Sequence, residues 1–188
     1  MVSAMPDSNI TKKALSQTLK ELLKKKPLAK ISVGDICEHC GINRKTFYYH
    51  FKDKYDLVNW IYYNEFVVVI NRREDTVSWN YANDLCNYLY ENRDFYRKTF
   101  YMDEQNSFTE YFKEFIQSII EDDIQNSFGE DMTGDDLDFC TEFYSNAFVV
   151  AIRNWILSSN PISPEHFVHL LKNCLVKTSH VIENAIED

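Results

Sequence analysis

The fold is decided between residues 31 and 57, which read ISVGDICEHCGINRKTFYYHFKDKYDL. Ser32 and Asp35 have the spacing of a capping box, which predicts that a short helix begins there. Gly41 is a typical residue for the C-terminal end of that helix. Asn43 is a favourable N-cap for another short helix directly after it. Two short helices joined across a glycine-containing turn indicate a helix-turn-helix.

The second short helix is expected over residues 44–50 and has two different faces. Phe47 and Phe51 lie four residues apart, so we place both rings on the inward face, where they orient the helix. The remaining side chains point elsewhere, and they are Arg44, Lys45, Thr46, Tyr48 and Tyr49. The pattern therefore predicts a short helix that a buried aromatic pair holds in place.

Apolar residues at three- and four-residue steps predict further helices on both sides of this motif. A first helix over residues 11–26 ends before Pro27. A long fourth helix begins at Asp53 and extends to about Glu74, and its apolar residues lie nearly all round it, as expected of a helix buried between others. Five more helices are expected at roughly 80–92, 93–102, 105–127, 136–159 and 163–186.

The composition favours an all-α fold. The chain has four Gly and four Pro in 188 residues, and it lacks the alternating β-branched segments and turn signals that sheets require. We therefore predict about nine helices, arranged as an N-terminal three-helix helix-turn-helix head on a C-terminal helical bundle. The boundary is placed so that residues 1–54 form the head and residues 55–188 form the body.

The net charge of −9 conceals a division between these two parts. Residues 1–54 carry eleven Lys and Arg against five Asp and Glu, a net charge of +6, which leaves −15 for the remainder. A run of lysines at the end of a helix accounts for only part of that excess. Such an asymmetry indicates a nucleic-acid-facing end on an acidic body.

Several classes of protein and site are not expected. No apolar run approaches the roughly 18 to 20 residues of a membrane span, and the first dozen residues lack the apolar segment of a signal peptide, so we expect a cytoplasmic protein with no membrane partner. Cys37 and Cys40 match C-x-x-C, but no second pair completes a zinc site, and reduced, packed thiols are the better interpretation.

Metal and catalytic chemistry are likewise not expected. The glycines and acids of residues 129–136 lack the order of an EF-hand, which favours a solvated loop. There is no nucleophile elbow, P-loop or dinucleotide fingerprint. We therefore predict no cofactor, no metal and no catalytic residue.

Residues 41–57 closely resemble the helix-turn-helix and the start of the fourth helix in the tetracycline-repressor (TetR) family of bacterial transcription factors. The resemblance spans seventeen positions and rests on Gly41-Ile42, on Thr46-Phe47-Tyr48-Tyr49-His50-Phe51-Lys52, and on Lys54 and Leu57. It implies a sequence-specific DNA-binding regulator whose recognition helix enters the major groove. On this basis the head is the DNA-binding domain and the body a regulatory and dimerisation domain.

The family motif also implies which side chains touch DNA. Arg and Lys pair with guanine O6 and N7, and Thr contacts the thymine methyl, so the start of the recognition helix is expected to face base edges. The expected base contacts are Arg44, Lys45, Thr46 and Tyr48. The expected phosphate contacts are Ser32, Tyr49, His50 and Lys54. No carboxylate or cysteine at helical spacing supports a metal or catalytic role for His50.

Residues 88–96 and 153–165 resemble part of a C-terminal domain found in several TetR-like regulators, including those linked to dihydroxyacetone kinase operons. In the family, the last two helices pair with those of a second subunit. Apolar stripes on these helices suit either that interface or an intramolecular core, and the pattern alone leaves both open. The dimer candidates are Phe143, Ala147, Val150, Ala151, Leu170, Leu171, Cys174, Thr178 and Val181.

The family resemblance further implies that a ligand in the body changes the separation of the heads. Aromatic residues of the fourth to eighth helices are candidates to line a pocket, and ordinary core packing is the alternative. The pocket candidates are Trp60, Tyr63, Tyr88, Phe100, Phe112 and Phe143.

The resulting functional hypothesis is a homodimeric transcriptional regulator on a palindromic operator, under the control of a small-molecule effector or a protein partner. Its half-sites would lie about 34 to 36 Å apart. The alternative is an adaptor or coactivator that acts through a second regulator, and a promoter-shift assay with the purified protein alone discriminates the two. The sequence does not specify the operator, the effector, the target genes or whether the output is repression or activation.

Overall fold

The computed structural model describes residues 8–70, 78–100, 108–128 and 134–186, excluding the side chains of residues 78, 127, 128, 176 and 178–186. These ranges contain nine α-helices and no strand, which confirms the predicted all-α class. Within them, no helix combines the length and the apolar character needed to cross a membrane. The head comprises α1 (Ser8–Lys25), a 3₁₀ turn (Leu28–Lys30), α2 (Val33–Cys40) and α3 (Arg44–His50).

The body begins with α4, which covers Lys54–Tyr62, a π-helical turn at Tyr63–Val67 and a last α-helical turn at Val68–Ile70. The other helices are α5 (Ser78–Glu91), α6 (Arg93–Phe100), α7 (Phe108–Phe128), α8 (Asp135–Leu157) and α9 (Pro164–Ile186). These bounds agree with the expected ones to within a few residues. Four expected features lie outside the described residues: the end of the fourth helix at Glu74, the end of the sixth at residue 102, the start of the seventh at residue 105, and the loop residues 129–133.

The head folds where its capping residues dictate. The Asp35 backbone N–H donates to Ser32 Oγ at 3.1 Å, and the Ser32 N–H donates to Asp35 Oδ2 at 2.7 Å, which completes the predicted capping box. Gly41 ends α2 in the left-handed conformation, with φ of +70°. Asn43 caps α3, since its Oδ1 accepts from the Thr46 N–H at 2.8 Å. These three signals therefore set both ends of α2 and the start of α3.

The core of the head is built from leucines of α1 and from the aromatic pair of α3. Leu15, Leu19 and Ile36 are fully buried, and Phe47 and Phe51 join them with ring centroids 5.9 Å apart. Phe51 also packs against the Trp60 ring of α4, with ring centroids 5.9 Å apart. The recognition helix is thus held by two buried rings on one face.

An aromatic cluster fills the middle of the body. Tyr62 of α4 lies at its centre, fully buried, within 6.3 Å (between ring centroids) of seven other aromatic rings. Those seven rings belong to Phe66, Tyr88, Tyr96, Phe108, Tyr111, Phe112 and Phe115. Edge-to-face contacts dominate, as expected of rings that pack by their quadrupoles. The cluster joins α4, α5, α6 and α7 into one core.

Charged side chains connect the head to the body. Lys20 of α1 pairs with Glu65 in the π-helical turn, with Nζ 2.6 Å from each carboxylate oxygen. Tyr88 Oη lies 3.3 Å from Glu65 Oε2 and 2.7 Å from Tyr96 Oη. Because the carboxylate only accepts, Tyr88 donates to Glu65, and Tyr96 donates to Tyr88. A second tie runs from the Lys98 ammonium of α6 to the Leu23 carbonyl near the end of α1.

Candidate nucleic-acid interface

The outer face of α3 carries the residues that the sequence predicts to read bases. Arg44 and Lys45 are exposed, Thr46 is half-buried, and Tyr48 is 56% exposed. The Thr46 hydroxyl lies 3.1 Å from Asn43 Oδ1 and donates to it, so its lone pairs and its methyl group are what it can offer to a base. The structure therefore brings all four onto one short helix.

Arg44 has a defined resting position. A Cβ atom added at Gly34 would stand only 2.6 Å from Arg44 Nη2, so the guanidinium lies against the backbone at the start of α2. Only a residue without a side chain leaves that space open. Sequence reasoning did not single out this neighbour of Arg44 in the preceding helix, and no local pattern indicated it.

The predicted phosphate contacts occupy different environments. Tyr49 of α3 is 77% exposed, whereas His50, the last residue of α3, is half-buried. Burial, together with the nearby Lys12 ammonium, holds the pKa of His50 below its usual range. Its imidazole is neutral at pH 7 and can donate a hydrogen bond without bringing a charge.

Ser32 and Lys54 already have partners within the head. The Ser32 hydroxyl lies 2.9 Å from Asp35 Oδ2, to which it donates. The hydrogen bonds from Ser32 and from Lys26 lower the pKa of Asp35 to about 2. Lys54 Nζ donates to the carbonyls of Leu28 and Ile31 at 2.9 and 3.0 Å, which ties α4 to the end of the 3₁₀ turn. For these two residues a phosphate contact stays a prediction.

The exposed charged side chains of the head are predominantly basic. Lys26 neutralises Asp35 at 3.0 Å, Glu21 lies 3.5 Å from His39, and Asp53 caps α4 through the N–H groups of its first turn. Most acids of the head are thus used internally. Six lysines are exposed, and they are Lys13, Lys24, Lys25, Lys30, Lys45 and Lys52. This surface suits a polyanion.

A separate feature of the body is a partly open cavity of about 480 Å³ lined by α5, α7, α8 and α9. Its wall is mostly apolar, with Leu85, Ile116, Ile120, Phe148, Ile152 and Leu171 among the lining residues. Cavities of this size hold small organic ligands in many proteins. The lining residues all come from the body, and α4 and α6 contribute none of those described.

None of the six aromatic pocket candidates is among the residues that line this cavity. Phe112 is fully buried in the aromatic cluster, Phe100 is fully buried against it, and Tyr88 donates to Glu65 there. Trp60 packs edge-on against Phe51, with ring centroids 5.9 Å apart. Tyr63 and Phe143 are exposed. The candidates share aromaticity but not a location, because the sequence does not show which faces of four helices converge.

The dimer candidates divide into two groups. Phe143, Ala147 and Val150 of α8 and Leu170 and Cys174 of α9 are exposed. Ala151 is half-buried, and Leu171 lines the cavity. The side chains of Thr178 and Val181 lie outside the described residues.

Sequence reasoning missed one member of the exposed face. Phe139 is 71% exposed and stacks on Phe143 with ring centroids 6.3 Å apart. Its four-residue spacing from Phe143 was the available signal. Two stacked, exposed rings at the start of α8 extend the apolar face by one helical turn.

Comparison with known proteins assigns the family. Residues 78–177 match the family described as "Transcriptional regulator C-terminal region", and residues 17–61 match "Bacterial regulatory proteins, tetR family". The chain belongs to the TetR family. As a TetR-family protein it is a DNA-binding transcriptional regulator and not an enzyme, in agreement with the expectation from its sequence.

Individual TetR-family relatives match over most of the chain. The HTH-type dhaKLM operon transcriptional activator DhaS of Lactococcus lactis subsp. lactis (strain IL1403) is 29% identical over 185 residues, which cover 96% of each chain. A solved structure of the dihydroxyacetone kinase operon activator DhaS superposes with a TM-score of 0.65 at 28% identity, over 92% of this chain and 98% of that one. The expected likeness to regulators of dihydroxyacetone kinase operons is thus confirmed.

Two further matches are more limited. A TetR transcriptional regulator from Streptococcus agalactiae 2603V shares the fold with a TM-score of 0.61 at 22% identity, over 87% of this chain and 92% of that one. The HTH-type transcriptional regulator EthR of Mycobacterium tuberculosis is 40% identical over 52 residues, which are 28% of this chain and 24% of EthR.

Proposed function

We propose that this TetR-family regulator binds a palindromic operator as a homodimer, with α3 of each subunit in the major groove. The observation that carries the proposal is the two-sided α3 helix. Phe47 is fully buried, while Arg44, Lys45 and Tyr48 project from a surface rich in lysine. A rigidly held helix with exposed donors at its N-terminal end has the form that direct readout requires.

The proposed contacts follow from the positions of the side chains. Arg44, Lys45, Thr46 and Tyr48 contact base edges, and Tyr49 and His50 contact the phosphate backbone of the DNA. His50 does so as a neutral donor. Ser32 contacts a phosphate by turning its hydroxyl away from Asp35. Lys54 can reach a phosphate only by releasing the carbonyls of Leu28 and Ile31. Its main role is therefore to hold the turn between α1 and α2 in place.

Operator binding is tested by selecting sites from random duplexes and measuring affinity by fluorescence anisotropy at several salt concentrations. We expect Arg44→Ala to lose preference at one base pair per half-site, by about 5- to 150-fold, which corresponds to 1–3 kcal/mol per bidentate contact. Lys24→Ala removes the same charge from the exposed end of α1 and serves as the control. It should change the salt dependence and leave the base preference intact.

A clear result would contradict the assignment. If Arg44→Ala combined with Lys45→Ala left the selected sequence and its affinity unchanged at matched salt, α3 would not be the reading element. Selection of sites without two-fold symmetry would contradict the homodimer on a palindrome while leaving DNA binding intact.

The dimer is proposed to form through the exposed apolar face of α8 and α9. Phe143 is 58% exposed and stacks on the exposed Phe139, and Val150 and Leu170 are also exposed. Exposed apolar patches of this kind mark interaction surfaces. We expect Phe143→Glu to shift the protein towards monomer in sedimentation velocity. Ile10→Glu makes the same change on an exposed site of the head and should leave the dimer intact. An unchanged sedimentation coefficient for Phe143→Glu would overturn this interface.

Control by a ligand is proposed to act through the cavity between α5, α7, α8 and α9. Because α8 and α9 also carry the proposed dimer face, occupancy of the cavity would alter the spacing of the two heads and hence the population that fits DNA. The test is whether a compound that binds the cavity changes operator affinity. A bound compound that leaves operator affinity unchanged would refute ligand control.

A second candidate is an adaptor or coactivator that acts through another regulator. The exposed pair Phe139 and Phe143 on an acidic body favours it, because the same face suits a protein partner. A promoter-shift assay with the purified protein alone decides between the two functions. The relative DhaS is named as a transcriptional activator, so activation is the output to measure first in a reporter strain.

A further inference from the structure

Lys12 of α1 differs from the other half-buried lysines of the head in the groups that surround its ammonium. Each of the other three is bound to carboxylate or carbonyl oxygen atoms, and these lysines are Lys20, Lys26 and Lys54. No carboxylate among the described residues forms an ion pair with Lys12. Its positive charge is therefore not neutralised within that part of the chain, and an anion from outside can be its partner.

Two aromatic rings place the Lys12 ammonium. Its Nζ atom lies 5.7 Å from the centroid of the Phe51 ring and 5.9 Å from that of the Trp60 ring. The two rings pack edge to face with their centroids 5.9 Å apart, so the cation is next to both at once. Ring faces attract a cation at this distance but carry no negative charge. The ammonium is therefore held in position while its charge stays available.

This position is at the C-terminal end of α3. His50 is the last residue of α3, and its ring centroid lies 6.4 Å from that of Phe51, one of the two rings beside Lys12. The Lys12 charge also reaches the imidazole, since it contributes, after burial, to the lowered pKa of His50. A cation from α1 and a neutral donor from α3 thus lie at the same end of the reading helix.

The end of α3 is a place where DNA phosphates are expected. An α-helix about 10–12 Å wide fills a major groove that is about 12 Å wide, so the groups beside the helix meet the phosphates of the groove walls. A phosphate is bound best by hydrogen bonds that carry a positive charge. His50 in its neutral form supplies a donor without a charge, and Lys12 supplies the charge that is missing.

We propose that Lys12 binds a DNA phosphate at the C-terminal end of α3, and that His50 donates to the same phosphate. This inference rests on the proposed function of α3 as the reading helix. The contact carries no sequence information of its own. It fixes the register of α3 in the groove and strengthens binding to operator and to unrelated DNA alike.

The salt dependence of DNA binding tests the contact. The affinity of the full-length protein for its selected operator and for an unrelated duplex is measured by fluorescence anisotropy over a range of salt concentrations. We expect Lys12→Met, which keeps an apolar chain over the rings, to reduce the salt slope by about 0.9 per bound subunit, equivalent to about fivefold in affinity at about 0.15 M salt. Lys12→Arg should retain both values, because arginine also pairs with phosphate. Circular dichroism reports on the folding of each variant.

The neighbouring residue provides the matched control. Lys13→Met removes the same charge from an exposed position one residue further along α1, and it should leave the affinity and the salt slope nearly unchanged. An equal loss in Lys13→Met and Lys12→Met would show a general effect of charge and overturn the proposal. An unchanged salt slope in Lys12→Met would overturn it as well.

Neutral linkages in the DNA locate the phosphate. Operator duplexes are prepared with a single methylphosphonate in place of one phosphate, at successive positions of each half-site. We expect one position at which the neutral linkage weakens binding of the parent protein but not of Lys12→Met, and at which its effect is smaller in His50→Gln. If every linkage weakens the parent and Lys12→Met equally, Lys12 does not bind a phosphate. An undiminished effect in His50→Gln would overturn the shared phosphate.

Failure of this contact is distinguishable from failure of DNA reading by α3. If the parent protein selects an operator and Lys12→Met keeps the full affinity and salt slope, the contact is refuted and the reading role of α3 stands. If the parent binds duplexes without sequence preference and Lys12→Met shows the reduced slope, the contact stands and the reading role is refuted. A parent protein that binds no duplex would refute both.

Discussion

Replacing Gly34 with alanine is a small change at the start of α2 that should act on DNA recognition through Arg44. The new methyl group would stand 2.6 Å from Arg44 Nη2, and ordinary contact begins near 3.4 Å, so the guanidinium must move by about 0.8 Å or leave. The obstacle is the far end of a flexible side chain, so folding itself should not suffer. Alanine is in fact a better helix former than glycine, by up to about 1 kcal/mol.

The expected loss of operator affinity follows from the conformational freedom that the Arg44 side chain gains. In the structure the guanidinium lies beside Gly34, and a contact kept there on DNA would reduce the side-chain freedom that is lost when Arg44 meets a base. Immobilising a rotamer-rich side chain costs about 0.5–1.5 kcal/mol, and Gly34→Ala should therefore weaken operator binding by about two- to twelve-fold. Thermal stability should be unchanged or slightly higher. Affinity for non-operator DNA should not change, since phosphate contacts are unaffected.

A double-mutant cycle isolates the coupling between the two residues. Operator affinity is measured by anisotropy for the parent protein, Gly34→Ala, Arg44→Ala and the double variant. If Gly34 acts by positioning Arg44, the effect of Gly34→Ala disappears once Arg44 is alanine. An equal loss in both backgrounds, or no loss in either, would refute the reasoning.

Three further outcomes are expected. Glu65→Gln weakens the ion pair with Lys20, and the free energy of unfolding measured in urea should fall by about 1–2 kcal/mol, with a smaller difference at high salt; no change would mean that the pair contributes nothing net. The folded-state pKa of Asp35, about 2 against an ordinary 3.8, lies below the unfolded one, so its contribution to stability is complete above about pH 4 and is lost as the pH falls towards 2. The difference in the free energy of unfolding between the parent and Asp35→Asn should shrink as the pH falls through that window. A constant difference would contradict the lowered pKa of Asp35. Gly41→Ala forces a side chain into the left-handed conformation and should cost about 1–2 kcal/mol of stability in thermal unfolding, unlike the same change at Gly34.

The sequence predicts those parts of the structure that local hydrogen bonds determine. Ser32, Asp35, Gly41 and Asn43 set the ends of α2 and α3 through contacts within three or four residues, and such contacts are visible as spacing. The buried face of α3 is likewise visible, because Phe47 and its partner lie one helical turn apart. The all-α class and the helix order follow for the same reason.

The parts that sequence did not predict depend on contacts between distant segments. The Arg44 guanidinium rests on Gly34 only because α2 and α3 cross there. The cavity is lined from four helices, and the side chains that reach it are fixed by how those helices rotate about their axes. The pocket candidates were chosen for their aromatic character alone, and residues such as Phe112 lie in the packed core and not at the cavity.

The π-helical turn in α4 has a geometric consequence for the whole chain. An α-helix turns by about 100° per residue, so the extra residue carried by the turn rotates everything beyond it by about that angle relative to an uninterrupted helix. Trp60, before the turn, packs against Phe51 of the head, and Phe66, within it, packs against Tyr88 of the body. Deleting one residue there would restore a regular helix and keep the present orientation of the two halves, whereas a regular helix that kept the extra residue would turn one half against the other by about 100°. The head and the body therefore pack on parts of α4 whose side chains are offset in rotation about the helix axis.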